Sequence, residues 1–234
     1  MLENIEVLCH SSIKINKGII IYFDPFKIEK NYNDANIIFI THDHYDHYSE
    51  EDIDKVIKNN TIIVSPVDLL EKLLNKGLKK ENIISVKPYE DYNIRNLKFS
   101  TIPAYNTNKQ FHPRKNNWVG YLIELEGITY YIAGDTDITE DNKKIKCDVA
   151  FVPIGGTFTM NYQEASELIN TIKPKIVVPI HYGSIVGTKE DATNFSKLIN
   201  PEIECKILIR DCSKINVNFY GVITKLHFSI PSSL

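Results

Sequence analysis

Three of the chain's seven histidines fall within one hexapeptide, His42-Asp43-His44-Tyr45-Asp46-His47. Three imidazoles and two carboxylates this close lose solvation and repel one another unless a cation sits among them. His42 and His44 lie two residues apart, so in extended chain both side chains point to one face and can share a cation. Asp46 and His47 come where the chain must turn, within reach of a second cation. Imidazole with carboxylate suits zinc, and also manganese or iron. A paired site would hold its ions about 3.5–4 Å apart. Two further segments carry the same residue types, Gly134-Asp135-Thr136-Asp137 and His181-Tyr182-Gly183. Alone, the first is an ordinary turn composition. Beside the cluster, Asp135 can bridge two ions through its two oxygens, and His181 can complete the second.

The remaining histidines divide. His112, in Phe111-His112-Pro113-Arg114-Lys115, sits in a loop, where it could be a ligand, a substrate-binding group or an exposed side chain. His10, ahead of Ser11-Ser12, reads as a satisfied core histidine, or as a group lying behind the ligands. His227 reads as structural. Asp137 could orient a ligand histidine or simply belong to its turn. Arg114 and Lys115 could meet a phosphate or carboxylate, but solvated surface charges are the commoner case.

No Gly-x-Ser-x-Gly elbow and no reactive-cysteine context offers a protein nucleophile. The expected nucleophile is a metal-bound hydroxide, since zinc lowers the pKa of its water to about 7. Asp46 and His181 are the candidate catalytic residues, Asp46 orienting that hydroxide. Tyr182 and His112 are candidates for the leaving-group acid.

The elements that must position these groups follow from patterning. Short strands are expected at Ile5–Cys9, Ser12–Ile15 and Ile19–Phe23. Ala35–Ile40 is a continuous apolar run, hence a strand buried on both faces, and it ends where the cluster begins. Ser49 caps a helix with Glu50, Glu51 and Asp52 in its first turn and Ile53, Val56 and Ile57 as its buried stripe. Thr61–Val64 is a strand. Ser65-Pro66 opens a helix carrying Leu69, Leu70, Leu73 and Leu74, closed by Gly77. Strands follow at Asn82–Val86, Leu97–Ile102, Trp118–Leu125 and Ile128–Ala133, the last two joined as a hairpin by Glu126-Gly127. Val149–Pro153 and Lys175–Ile180 are further strands. Asn161 caps a helix with Glu164 three residues on, and 188–200 is helical. Cys205–Arg210, Ile215–Phe219 and Val222–Phe228 close the chain as strands. The polar residues of interest come just after strand C-termini, where α/β folds place ligand sites.

With 234 residues and an apolar share of 43%, the chain suits one globular domain spanning 1–234. A net charge of −3 without a basic stripe argues against an electrostatic nucleic-acid binder. No apolar run approaches membrane-spanning length. The acidic start, Met-Leu-Glu-Asn-Ile-Glu, is unlike a signal peptide. Cys9, Cys147, Cys205 and Cys212 show no close pairing and read as reduced thiols in a cytoplasmic protein.

His42-x-His44-x-Asp46-His47, then Gly134-Asp135-Thr136, then His181-Tyr182-Gly183 resembles the metallo-β-lactamase superfamily. The closer similarity is to its lactonase-like branch of metal-dependent hydrolases, related to ascorbate-6-phosphate lactonase. Trp118-Val119-Gly120-Tyr121, Pro153-Ile154-Gly155-Gly156-Thr157 and Pro179-Ile180-His181-Tyr182-Gly183 resemble that branch too. The resemblance implies a four-layer αββα sandwich in the α/β class, with two divalent ions, zinc or manganese, at one edge of the sheets. It implies His42 and His44 on the first ion, Asp46, His47 and His181 on the second, and Asp135 between them. The family supplies a third histidine to the first ion from the loop after a strand like Leu97–Ile102. Here Asn106 stands at that place, so the first ion is held weakly through an amide oxygen, or His112 supplies the imidazole from further along. The expected activity is hydrolysis of a small ester, lactone or phosphoester. The alternatives are a phosphodiesterase or nuclease of the same fold, or a non-catalytic metal-binding module. The partner is a small molecule, with no nucleic acid and no membrane. The branch often forms homo-oligomers.

Overall fold

The computed structural model describes residues 1–210. The strands are β1 (Ile5–Cys9), β2 (Ser12–Asn16), β3 (Ile20–Phe23), β4 (Ile37–Phe39), β5 (Ile62–Pro66), β6 (Ile83–Val86), β7 (Asp91–Ile94), β8 (Leu97–Pro103), β9 (Val119–Leu125), β10 (Ile128–Ile132), β11 (Val149–Pro153), β12 (Ile176–Ile180) and β13 (Glu204–Cys205). The α-helices are α1 (Glu50–Val56), α2 (Leu70–Asn75), α3 (Tyr162–Ile172) and α4 (Lys189–Leu198). β1 to β6 form one sheet in chain order. The other runs β13-β12-β11-β10-β9-β8-β7.

The first sheet opens with antiparallel pairs and becomes parallel from β3 onward. The second is antiparallel from β7 to β10 and parallel from β10 to β13. Alternation along the strands fixes which side chains meet. Ile13, Ile15, Phe23 and Phe39 of one sheet pack between the layers against Phe99, Tyr121, Phe151 and Val178 of the other. The opposite faces are covered by helices. Tyr22, Ile38 and Ile63 pack with Ile53, Val56, Leu69 and Leu73 of the α1–α2 side. Ala150, Val152 and Val177 pack with Leu168, Ile169 and Phe195 of the α3–α4 side. The result is the four-layer αββα order.

Local signals explain most elements. The Ser49 side chain accepts from the backbone N–H of Asp52 at the start of α1, and Asn161 with Glu164 forms a complete capping box on α3. Glu126 and Gly127 both have positive φ, +53° and +73°, as a tight two-residue hairpin between right-twisted strands requires.

Three expectations differ. Ser65-Pro66 ends β5 instead of opening a helix, and a 3₁₀ turn over Val67–Leu69 leads into α2. Leu69 and Leu73 are buried there while Leu74 is exposed. β7 was not anticipated, because a short strand of mostly polar residues at a sheet edge carries little apolar alternation. The strand expected over Cys205–Arg210 is only Glu204–Cys205. Beyond it the chain leaves the second sheet, and Arg210 donates its backbone N–H to Val7 in the first. The strands expected at Ile215–Phe219 and Val222–Phe228, with His227 and Cys212, lie outside the described residues. Cys147 and Cys205 are free thiols. No helix among the described residues is long and apolar enough to cross a membrane.

One buried carboxylate ties α1 to the loop after β3. Asp52 accepts from the backbone N–H groups of Lys27 and Ile28, both at 2.9 Å, and from the Ser49 hydroxyl at 2.8 Å. An unsatisfied buried donor costs about 1–3 kcal/mol. Asp52→Ala should therefore destabilise the fold by about 2–4 kcal/mol, read as a lower urea midpoint with an unchanged slope.

Candidate metal centre

Six segments bring polar side chains to one edge of the sandwich, each just past a strand's C-terminal end. His10 follows β1, Asp24 follows β3, and the cluster His42–His47 follows β4. Asn106 and His112 follow β8, Asp135 follows β10, and His181 follows β12. Three of these residues adopt left-handed backbone: His10 (φ +55°), Asp24 (φ +43°) and His181 (φ +58°). Such backbone costs roughly 1–3 kcal/mol at a non-glycine residue, and it persists where surrounding structure fixes it, commonly at functional sites. Here the His181 backbone N–H donates to the His10 carbonyl at 3.0 Å, and the two rings lie 3.9 Å apart. A Cβ at Gly155 would fall 2.3 Å from the His181 carbonyl, so only glycine lets that loop pass.

The ligand-type atoms fall into three groups, each within 4.8 Å: His42, His44 and His112; His10, Asp46 and His181; and His42, His47 and Asp135. One Asp135 oxygen lies 3.0 Å from His181 Nε2, 3.3 Å from His112 Nε2 and 3.9 Å from His42 Nε2; the other lies 3.2 Å from His47 Nε2. One Asp46 oxygen faces His10 at 3.2 Å, His47 at 3.5 Å and His181 at 3.6 Å. Donors about 2.0–2.1 Å from a tetrahedral zinc stand about 3.4 Å apart, close to these spacings. The Nε2 atoms of His10, His47, His112 and His181 and one Asp135 oxygen are buried without a hydrogen-bond partner. Buried polar atoms are ordinarily paired, so these residues fit a cation among them.

A second layer turns the imidazoles inward. Asp24 accepts from His47 Nδ1 at 2.7 Å, and its two oxygens also accept from the Thr41 backbone N–H and hydroxyl. The Thr41 hydroxyl lies 2.9 Å from His42 Nδ1. Asn106 Oδ1 accepts from the His112 backbone N–H at 2.9 Å and lies 3.0 Å from its Nδ1, while its Nδ2 donates to the Phe158 carbonyl. In each case Nδ1 is engaged and Nε2 is left to face the centre.

Burial and mutual charge set the protonation of the ion-free cluster. Burial lowers His42, with His47 adding to the effect, and it lowers His10 to about 4, helped by His181. Burial opposes charge on His181 too, but Asp135 and Asp46 overcome it and raise its pKa to about 9. Burial likewise would raise Asp46 and Asp135, yet the imidazoles around them hold both well below the usual carboxylate range. Below about pH 9, then, His181 carries a proton that a ligand imidazole must give up. Metal uptake near neutral pH should release protons, and apparent affinity should weaken as pH falls. Calorimetric titration in buffers of differing ionisation enthalpy measures this; a buffer-independent heat at neutral pH would contradict it.

All six predicted ligands, His42, His44, Asp46, His47, Asp135 and His181, converge. Asn106 directs its amide to the His112 backbone N–H, the His112 ring and the Phe158 carbonyl. His112 stands among the ligand-type groups. His10, read as a core histidine, faces Asp46 and His181 inside the centre. Its position just past a strand end was the available signal, and a lone histidine there carries little weight by itself. Asp24 went unremarked, although it occupies the same kind of position. Asp137, a candidate to orient a histidine, instead accepts from the Thr107 backbone N–H and pairs with Lys109. Tyr182, a candidate acid, packs in the core beneath α3 and α4, and burial pushes its hydroxyl up to about 12. Arg114 turns outward to Tyr89 and Asp141. Above the centre opens a cavity of about 230 Å³ whose apolar walls are Tyr45, Phe111, Phe158 and Ile185.

The model of the beta-lactamase superfamily domain matches residues 4–181. The chain belongs to this superfamily. A UPF0173 metal-dependent hydrolase of Lysinibacillus sphaericus is 30% identical, the match covering 88% of this chain and 96% of that protein. Another, of Saccharolobus solfataricus, is 34% identical over 75% of this chain and 78% of its own length. The crystal structure of a metal-dependent hydrolase from Parabacteroides distasonis superposes with a TM-score of 0.73 at 29% identity, covering 88% of this chain and 92% of that one. The protein is a metal-dependent hydrolase of the metallo-β-lactamase superfamily.

Proposed function

We propose that the chain is a cytoplasmic, single-domain enzyme that hydrolyses a small ester, lactone or phosphoester with two divalent ions, zinc or manganese. His42, His44 and His112 would hold the first. Asp46, His181, His47 and His10 would surround the second, with Asp135 between them. The observation that supports this reading is the position of Asp135, whose two oxygens face imidazoles from both groups at 3.0–3.3 Å. Ions so held would polarise the scissile oxygen and lower the pKa of a bound water towards about 7.

The chain's own residues do the rest. Asp46 faces the cavity and is held ionised, so it can accept a hydrogen bond from attacking water and fix its direction. Thr41, Asp24 and Asn106 keep the imidazoles from rotating. The wall side chains limit access to one small substrate. The reading as a non-catalytic module rested mainly on Asn106 replacing an imidazole; a ligating His112 would remove that motive.

The test is exhaustive chelation followed by graded return of zinc or manganese, with ester, lactone and phosphodiester substrates assayed at each step. Turnover should vanish with the metal and return as about two ions bind per chain. Turnover that survives metal removal would sink the mechanism, and saturation at one ion would sink the pair.

A further inference from the structure

The cavity over the centre has two unlike halves. Its floor is made of His44, Asp46, His112 and Asp135, and its walls of Tyr45, Phe111, Phe158 and Ile185. The Phe111 and Phe158 rings meet edge to face, 4.7 Å apart at 87°, on one side. Tyr45 stands with its ring edge towards Phe26 at 6.1 Å. Tyr45 is 52% exposed and Phe111 46%, and large rings held in water beside a cavity lose hydration cost when something covers them. At about 230 Å³ the space is smaller than the ~300–1,000 Å³ of sites for drug-sized ligands.

Charge points the same way. Among the described residues the lining contains no lysine or arginine. Three lysines are engaged with other side chains: Lys27 with Ser184 at 3.0 Å, Lys109 with Asp137 at 2.6 Å, and Lys72 with Asp43 at 2.5 Å. Sites that transfer phosphoryl groups aim arginine, lysine or divalent ions at the oxygens, and here that task would fall to the ions alone. Among the described residues no lysine or arginine lines the cavity to meet a phosphate.

We propose that the cavity selects an uncharged ester or lactone whose scissile bond carries a flat apolar group, seated against Phe111 and Phe158, in preference to a phosphoester; this rests on the hydrolase reading above. The reaction is simple hydrolysis. The water oxygen bonds to the acyl carbon, the ester C–O bond breaks, the leaving oxygen takes a proton, and the products are an acid and an alcohol or phenol.

The experiment has two arms on the full-length protein. In the first, the metal-loaded enzyme is assayed on phenyl acetate, ethyl acetate and phenyl phosphate. In the second, binding of acetanilide, an uncharged and slowly hydrolysed analogue, is measured by ligand-observed NMR with and without metal. Phenyl acetate should be turned over faster than phenyl phosphate. Phe111→Ala with Phe158→Ala should lower the phenyl-to-ethyl selectivity in kcat/KM about tenfold, mainly through KM, and weaken acetanilide binding to match, as loss of ring burial predicts. Phe111→Ala alone, at an exposed position, should give part of the same shift if the double variant fails to fold. Unchanged selectivity and acetanilide affinity in the variants, or faster hydrolysis of phenyl phosphate, would overturn the proposal. Absence of metal-dependent turnover on every substrate would instead count against the hydrolase reading, and acetanilide binding would still decide the question of the walls.

Discussion

Replacing Asp135 with alanine should strip the protein of both ions and reduce turnover by far more than the ~10–100-fold that loss of an outer hydrogen-bonding partner costs a metal site. Asp135 is 4% exposed and stands within hydrogen-bonding distance of imidazoles from both groups. Without it, His47, His112 and His181 face one another with one carboxylate, Asp46, left in the centre. Returning metal in excess should not restore both ions together. Metal content by mass spectrometry, set beside kcat for wild type and Asp135→Ala, checks this. A variant that keeps two ions and near-normal turnover would show that the carboxylate does not lie between them. Far-ultraviolet circular dichroism should be unchanged, because the side chain lies beyond the end of β10 and not in the core between the sheets.

The second large effect concerns the third imidazole of the first ion. His112→Ala should abolish tight binding there while leaving the ion near Asp46 and His181 in place, so stoichiometry falls from about two to about one. Asn106→Ala should weaken the same ion by roughly 10–100-fold, because it removes the acceptor that holds His112 Nδ1 and leaves the ring free to turn. Asn106→His should also weaken it. An amide bonded to the His112 backbone, its ring and the Phe158 carbonyl has no room for a second imidazole aimed at the centre. Graded chelation of the three variants separates these outcomes. Tighter binding in Asn106→His would restore Asn106 to a ligand's place.

The hexapeptide from His42 to His47 was legible in the sequence because its density has no other physical use and because it follows a buried strand. Asp135 and His181 were legible for the same positional reason, and their convergence needed only parallel strands ending at a common edge. His10 was not, because its partners lie across the sandwich. Its carbonyl receives the His181 N–H, and no pattern within residues 5–15 reports that meeting. The choice between Asn106 and His112 stayed open in the sequence for a related reason. Counting along the loop from β8 places Asn106 where an imidazole belongs, but the loop closes on itself through the Asn106–His112 pair and presents the later residue. Strand positions were set by alternation and β-branching. β7 escaped because edge strands favour polar residues, which also describe loops. The substrate walls left little trace in the sequence. Tyr45, Phe111, Phe158 and Ile185 come from four separate loops, and only the fold shows that they surround one opening.

The centre draws on both sheets. His10 and the His42–His47 segment hang from the first, and His112, Asp135 and His181 from the second. A chelated ion is therefore a cross-link between the two halves of the sandwich, tying chain segments that are far apart in sequence as a long-range disulfide would. Unlike a disulfide, this link is lost when the chain unfolds, so it stabilises by binding the folded state alone. Its contribution scales with the logarithm of free metal over its dissociation constant, about 4 kcal/mol at a thousandfold excess. The melting temperature of the protein should then rise with zinc concentration well past saturation. The edge of the sandwich bearing the centre should be where hydrogen exchange first reports opening when the metal is withdrawn.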